Sequence, residues 1–337
     1  MWIARSQLVL LLAVATAIGQ NPVKHEHFRN ADVLYDWVSN GKGEKLRTFV
    51  THPRNTTGKV PVIFFVGWLS CDSMEYPDGE TDGFGALILR LVDQSGYATV
   101  RMDKPGVGES QGTCAKADFQ SELEDWRAAF AAMSKFDFID TGRVFVLGMS
   151  NGGGFSPLVA QGHPVRGYIA ASSWGRTWYE HMIENERRRL TAANKSPAEV
   201  NDSVKAFIQF YDLYLNQNMT PGQVIAEHPE WKTLWYDAPD GQYGRPAAFY
   251  QQLQALNLGQ VWQEVQAPVL VVYGTGDTIM SRPDSDAISE TVNGVHPGAA
   301  QNYVVDRMDH VFTIDKKFYD PLVPEILQWM KERLRSN

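Results

Sequence analysis

Ser150 stands in Gly148-Met149-Ser150-Asn151-Gly152, one hydroxyl with a glycine two residues away on each side, directly after the apolar run 143–149. A serine hydroxyl is a weak nucleophile at neutral pH, so it needs a general base, and the base needs a carboxylate to fix its tautomer. Both types occur downstream in suitable places. Asp277 lies in Thr275-Gly276-Asp277, just past the apolar run 267–274, and His310 follows Asp309 just past the run 301–308. The order Ser150, Asp277, His310 is one of the chain orders known for nucleophile, acid and base in acyl transfer. His25, His27, His52, His163, His181, His228 and His296 compete for the base, but none follows a late strand-like run. Asp284, Asp286, Asp306 and Asp309 are the alternatives for the acid. A phosphate-binding loop would need Gly-Lys-Ser/Thr where this chain has Gly153-Gly154-Phe155, and no G-x-G-x-x-G follows the first apolar run.

Such residues meet only if strands deliver them to one edge of a sheet. Short, continuous apolar runs at 60–68, 97–102, 143–149 and 267–274 read as strands buried on both faces. Helical patterns separate the first three, and 165–174 adds a further run, so the alternation predicts a mostly parallel central sheet flanked by helices. Between 175 and 262 the pattern changes to helices rich in Trp and Pro, which predicts a helical cap inserted into the alternation. The expected organisation is a leader over 1–19, a first core segment over 20–174, the cap over 175–262 and a second core segment over 263–337.

The strand-to-helix turn at Ser150 explains its glycines: a sharp elbow leaves no room for Cβ atoms beside it, and the helix that follows points its amides at the site. An oxyanion needs two backbone donors, one from the residue after the nucleophile and one from the loop after an earlier strand. Asn151 supplies the first, and Trp68 or Leu69, just after the stretch 62–66, supplies the second.

Composition narrows the partners. The formal charge is −8 over 337 residues with no run of Lys or Arg, which disfavours nucleic acid. Arg5, the apolar run Leu8 to Ile18 and the small residues Ala15, Ala17 and Gly19 read as a secretory signal peptide, too short to span a bilayer. A secreted or periplasmic protein without stable membrane insertion after leader removal is expected. In an oxidising compartment the only cysteines, Cys71 and Cys114, are candidates for a disulfide, with two unpaired thiols as the alternative. His25-Glu26-His27 is the one metal-like cluster and reads instead as a flexible tail, so neither metal nor cofactor is expected.

These motifs together resemble the α/β-hydrolase superfamily. The Gly148–Gly152 elbow, the Gly274–Asp277 turn and the Met308-Asp309-His310 segment match its nucleophile, acid and base positions, and 101–110 is similar to its D-x-x-G-x-G-x-S loop. Within the superfamily the chain looks most like exported hydrolases related to serine aminopeptidases and monoacylglycerol lipases. It departs from many members in reading Val66-Gly67-Trp68 where they have His-Gly. The resemblance implies an α/β-hydrolase fold and a carboxylic ester hydrolase working through an acyl-enzyme. An aminopeptidase acting on short peptides, with Glu180 or Glu184 taking the free amine, is the second reading, and an inactive binding protein the third. Trp174, Trp178 and Tyr179 are candidates for the substrate pocket. Neither the identity of the small-molecule ester or peptide nor the oligomeric state is legible in the sequence.

Overall fold

A computed structural model describes residues 25–79 and 83–335; the leader over 1–19 lies outside them. Eight strands form one sheet in the order β1-β2-β4-β3-β5-β6-β9-β10. Strands β3 (Val60–Val66), β4 (Ala98–Met102), β5 (Ile139–Met149), β6 (Gly167–Ala171), β9 (Val269–Gly274) and β10 (Ala300–Val305) run parallel. The interior strands β3, β4, β6 and β9 are buried at every residue, as expected of strands covered by helices on both faces. Helices α1 (Gly83–Gln94), α2 (Phe119–Ala132), α3 (Asn151–Val159), α9 (Arg282–Val295) and α10 (Leu322–Arg335) provide that cover. This is an α/β-hydrolase architecture.

The sheet begins with two strands that carry no continuous apolar run. β1 (Ala31–Ser39) and β2 (Lys45–Pro53) form an antiparallel hairpin, and β2 continues antiparallel onto β4. β1 is an edge strand with half-exposed residues, so polar side chains interrupt its apolar ones. The expectation of a flexible tail at 25–27 is corrected here. Glu26 is buried, its carboxylate makes a two-pronged bond of 2.7 Å to each terminal nitrogen of the fully buried Arg101, and it also accepts the Tyr76 amide at 2.8 Å. A buried charge has to be paired, and Arg101 on the central strand β4 obliges the chain before β1 to lie against the core.

Between β6 and β9 come α4 (Trp178–Ala192), α5 (Pro197–Tyr211), α6 (Pro221–Glu227), a two-residue hairpin of β7 (Gly241–Gln242) and β8 (Arg245–Pro246), α7 (Ala247–Gln254) and α8 (Leu258–Gln263). Helices α4, α5 and α6 each open on a capping box, with Thr177, Ser196 and Thr220 reciprocally bonded to Glu180, Glu199 and Gln223. The last of these helices packs on the core: fully buried Trp262 of α8 donates its indole N–H to the Gly154 carbonyl of α3 at 3.0 Å.

Candidate active site

Strand register brings the site together at the C-terminal edge of the parallel strands, where open α/β sheets gather their ligands. Val66 of β3 pairs with Gly148 of β5, so the chain after β3 lies beside Ser150. Gly274 of β9 pairs with Val305 of β10, so the turns that carry Asp277 and His310 run side by side, joined by Gly276 N–H to Met308 O at 3.0 Å.

At the elbow Ser150 adopts φ 53° and ψ −126°, a backbone conformation that costs a residue with a side chain about 1–3 kcal/mol. The surrounding glycines make it attainable. A Cβ on Gly148 would lie 2.5 Å from the Gly153 Cα, and one on Gly152 would overlap the Gly67 carbonyl. The elbow is therefore pressed against the loop after β3, and Asn151, Trp68 and Leu69 all border the same cavity as Ser150.

His310 Nε2 lies 2.9 Å from Ser150 Oγ, and His310 Nδ1 lies 2.9 Å from Asp277 Oδ2. The other Asp277 oxygen accepts the amides of Ile279 and Met280, both at 2.8 Å. That carboxylate is wholly buried and fixed from both sides, so a neutral His310 turns its Nδ1–H to Asp277 and leaves Nε2 to accept the serine proton. Asp309, an alternative acid, braces the turn instead, accepting the amides of Val311 at 3.1 Å and Thr313 at 2.7 Å. Phe84 meets the His310 ring edge-on at 5.6 Å and stacks on Trp68 at 4.9 Å, which closes one wall.

A cavity of about 800 Å³ opens over Ser150. Of the three aromatic residues expected there, Trp178 lines it. Trp174 is fully buried beneath the elbow, donating its indole N–H to Asn151 O at 3.2 Å, and Tyr179 turns away to donate its hydroxyl to Ile208 O at 3.0 Å. The cavity wall supplied by α4 is polar instead, with His181, Asn185, Arg188 and Arg189. His181 Nδ1 lies 3.1 Å from Asp284 Oδ2, and Asp284 also holds Arg176 at 3.0 Å and the Ser281 amide at 2.8 Å. Although burial alone would raise it, the bonds from His181 and Ser281 hold the Asp284 carboxyl well below its ordinary range.

Sequence reasoning passed over a second group. Lys104, buried behind the oxyanion loop, donates to the carbonyls of Trp68, of Leu69 at 3.2 Å and of Ser70 at 3.0 Å. Its charge is met by Glu122 of α2 at 3.3 Å, and Glu122 in turn holds the guanidinium of Arg245 from β8. Arg245 rests on the disulfide that joins Cys71 to Cys114. One buried chain of charges thus ties the loop after β3 to the inserted segment. The only sequence signal was a lysine within the loop 101–110.

Sheet order, elbow and cavity define a serine hydrolase of the α/β-hydrolase superfamily. More specifically, the family model described as serine aminopeptidase, S33, matches residues 80–317, and the chain belongs to that family. Among solved structures, Est1E from Butyrivibrio proteoclasticus with bound ferulic acid is 18% identical with a TM-score of 0.59, covering 90% of this chain and all of that one. Proline iminopeptidase from Mycobacterium smegmatis is 18% identical with a TM-score of 0.56 over 90% of this chain and 100% of that one. An esterase of Pyrococcus furiosus is 14% identical with a TM-score of 0.56 over 90% and 91% of the two chains. At such identities the likeness shows the fold, and it spans esterases and peptidases alike. A curated relative, the quorum-quenching protein AidA of Acinetobacter baumannii (strain MDR-ZJ06), is 43% identical over 60 residues, which is 18% of this chain and 20% of that protein.

Proposed function

We propose that the protein is an exported serine hydrolase that cleaves a carboxylic ester through an acyl-enzyme on Ser150. The observation that carries the reading is the relay from Ser150 Oγ through His310 to Asp277, with both contacts at 2.9 Å. Ser150 Oγ attacks the ester carbonyl as its proton passes to His310 Nε2, and Asp277 stabilises the imidazolium. The amide of Asn151 and one from Trp68 or Leu69 hold the oxyanion. Collapse expels the alcohol, which takes the proton from His310. Water, deprotonated by the same nitrogen, then attacks the acyl-enzyme, and the acid leaves as Ser150 recovers its proton. Export rests on the leader-like N-terminus alone.

The charge of the cavity favours an ester over an aminoacyl substrate. Arg188, whose terminal nitrogens bond only backbone carbonyls, lines it and repels a free α-ammonium. Of the two carboxylates considered as amine acceptors, Glu180 is engaged by the amide and hydroxyl of Thr177, and Glu184 lies 3.9 Å from Arg188. A matched pair of substrates tests the reading: an aryl ester and the corresponding aminoacyl anilide, assayed with the wild type and Ser150→Ala. Faster turnover of the ester, abolished in the variant, supports it. Preferential cleavage of the anilide overturns it in favour of a peptidase.

A further inference from the structure

The wall of the cavity facing solvent over Ser150 carries positive charge, while the carboxylates that balance it are buried behind it. On α4, the side chains of Arg188 and Arg189 are 28% and 47% exposed. Asp277, Asp284 and Glu186, three acids beside this wall, are 0% exposed and already engaged by His310, His181 and Arg189. Among the described residues, Arg188 has no carboxylate within hydrogen-bonding distance. Its terminal nitrogens donate to two neutral acceptors, the carbonyls of Asp277 at 3.3 Å and Ile279 at 2.8 Å, and its Nε is buried with no hydrogen-bond partner. Glu184 stands 3.9 Å from that Nε and lies outside the cavity lining.

The backbone carbonyls fix the plane of the Arg188 guanidinium, and its ion pair with Glu184, at 3.9 Å, leaves its terminal nitrogens free of any carboxylate bond. A planar, pre-oriented cation with N–H groups to spare is the arrangement that recognises a carboxylate. His181, two turns earlier on the same face of α4, has its Nδ1 committed to Asp284 at 3.1 Å and its ring packed 4.8 Å from Trp178, so it forms a fixed part of the cavity wall beside Arg188.

We propose that this face of α4 is a carboxylate-recognition subsite, and that the preferred substrate is an ester bearing a free carboxylate. The inference rests on the ester reading given above and adds the substrate's charge. Arg188 binds the carboxylate, while Arg189, paired with Glu186 at 2.8 Å, and His181 shape the wall around it.

Two matched pairs of substrates test it and tell whether the charge sits on the acyl or the alcohol side. The first pair is 4-nitrophenyl hydrogen adipate and its neutral methyl ester; the second is 4-acetoxybenzoate and its methyl ester. In at least one pair the charged member is expected to have a kcat/KM about tenfold or more above the neutral one, expressed mainly in KM. Added salt reduces that ratio, because part of it is steering by charges open to solvent. In Arg188→Gln the ratio collapses toward one and in Arg188→Lys part of it returns. Because both members of a pair are measured on each variant, a general loss of activity cancels. Turnover of the neutral esters with ratios of one or less in the wild type overturns the subsite and leaves the esterase reading standing, as does a ratio unchanged in Arg188→Gln. Failure to turn over any of the four compounds, with anilide cleavage intact, overturns the esterase reading itself.

Discussion

Two histidine–carboxylate pairs face the same cavity, one built by the turns of the core sheet and one at the root of the inserted helices. His310 and Asp277 meet at 2.9 Å, and His181 and Asp284 at 3.1 Å. The difference lies in what surrounds them. His310 has Ser150 Oγ 2.9 Å from its second nitrogen, and Asp277 has only backbone amides on its free oxygen. Asp284 instead gathers Arg176, His181, the Ser281 amide and hydroxyl, and through its carbonyl the Gly175 amide, all at the point where the insertion leaves the core. A carboxylate–imidazole pair thus acquires chemistry from the nucleophile beside it; without one it fastens two parts of a chain together.

The contrast is broken most sharply by alanine at each imidazole. Ser150→Ala or His310→Ala is expected to lower kcat by about 10⁴-fold or more with the thermal transition unchanged, whereas His181→Ala is expected to cost less than about tenfold in kcat and to act through KM. Comparable losses of kcat in both histidine variants would erase the distinction.

The carboxylates sharpen it further. Asp277→Asn is expected to lower kcat by about 10²–10⁴-fold by fixing the wrong tautomer, with folding little affected. Asp284→Asn leaves Arg176 without its buried partner and is expected to cost about 3 kcal/mol of stability in a urea titration, with a smaller effect on kcat.

The Lys104 clamp joins the two regions and gives an intermediate effect. Lys104→Met frees the carbonyls of Leu69 and Ser70, so kcat is expected to fall about 10–100-fold with KM nearly unchanged if the loop's position matters to the oxyanion. A variant that changes stability alone would make the clamp purely structural.

The smallest effect concerns pH and acids that belong to neither pair. Burial pushes the Asp103 carboxyl up to about 6 and that of Asp125, one of whose oxygens has no hydrogen-bond partner, up to about 7. Both values exceed the ordinary one near 4, so the folded state binds more protons, and stability is expected to fall as pH rises from about 4 through 7. Asp125→Asn should remove part of that slope, raising stability by about 1 kcal/mol at pH 8 and changing it little at pH 5.

What the sequence made legible follows the same division. Strands buried on both faces are continuous apolar runs, so the ends of β5, β9 and β10 could be placed, and with them Ser150, Asp277 and His310. The edge hairpin β1–β2 has half-exposed residues and lacks that signature. Helical periodicity marks 178–190 as a helix and pairs Glu184 with Arg188, but does not say that His181 and Arg188 face the cavity over Ser150. Glu26, Lys104, Glu122 and Arg245 were hidden for another reason: charged residues are ordinarily exposed, and only the folded chain shows each buried beside its partner.

An activated Ser150 is tested by covalent labelling with a fluorophosphonate probe, using the wild-type protein, Ser150→Ala alongside, and peptide mapping of the adduct. One adduct per chain on Ser150, absent from the variant, is the predicted result. A folded, monodisperse wild-type protein that stays unlabelled, or that is labelled at another residue, would contradict the account.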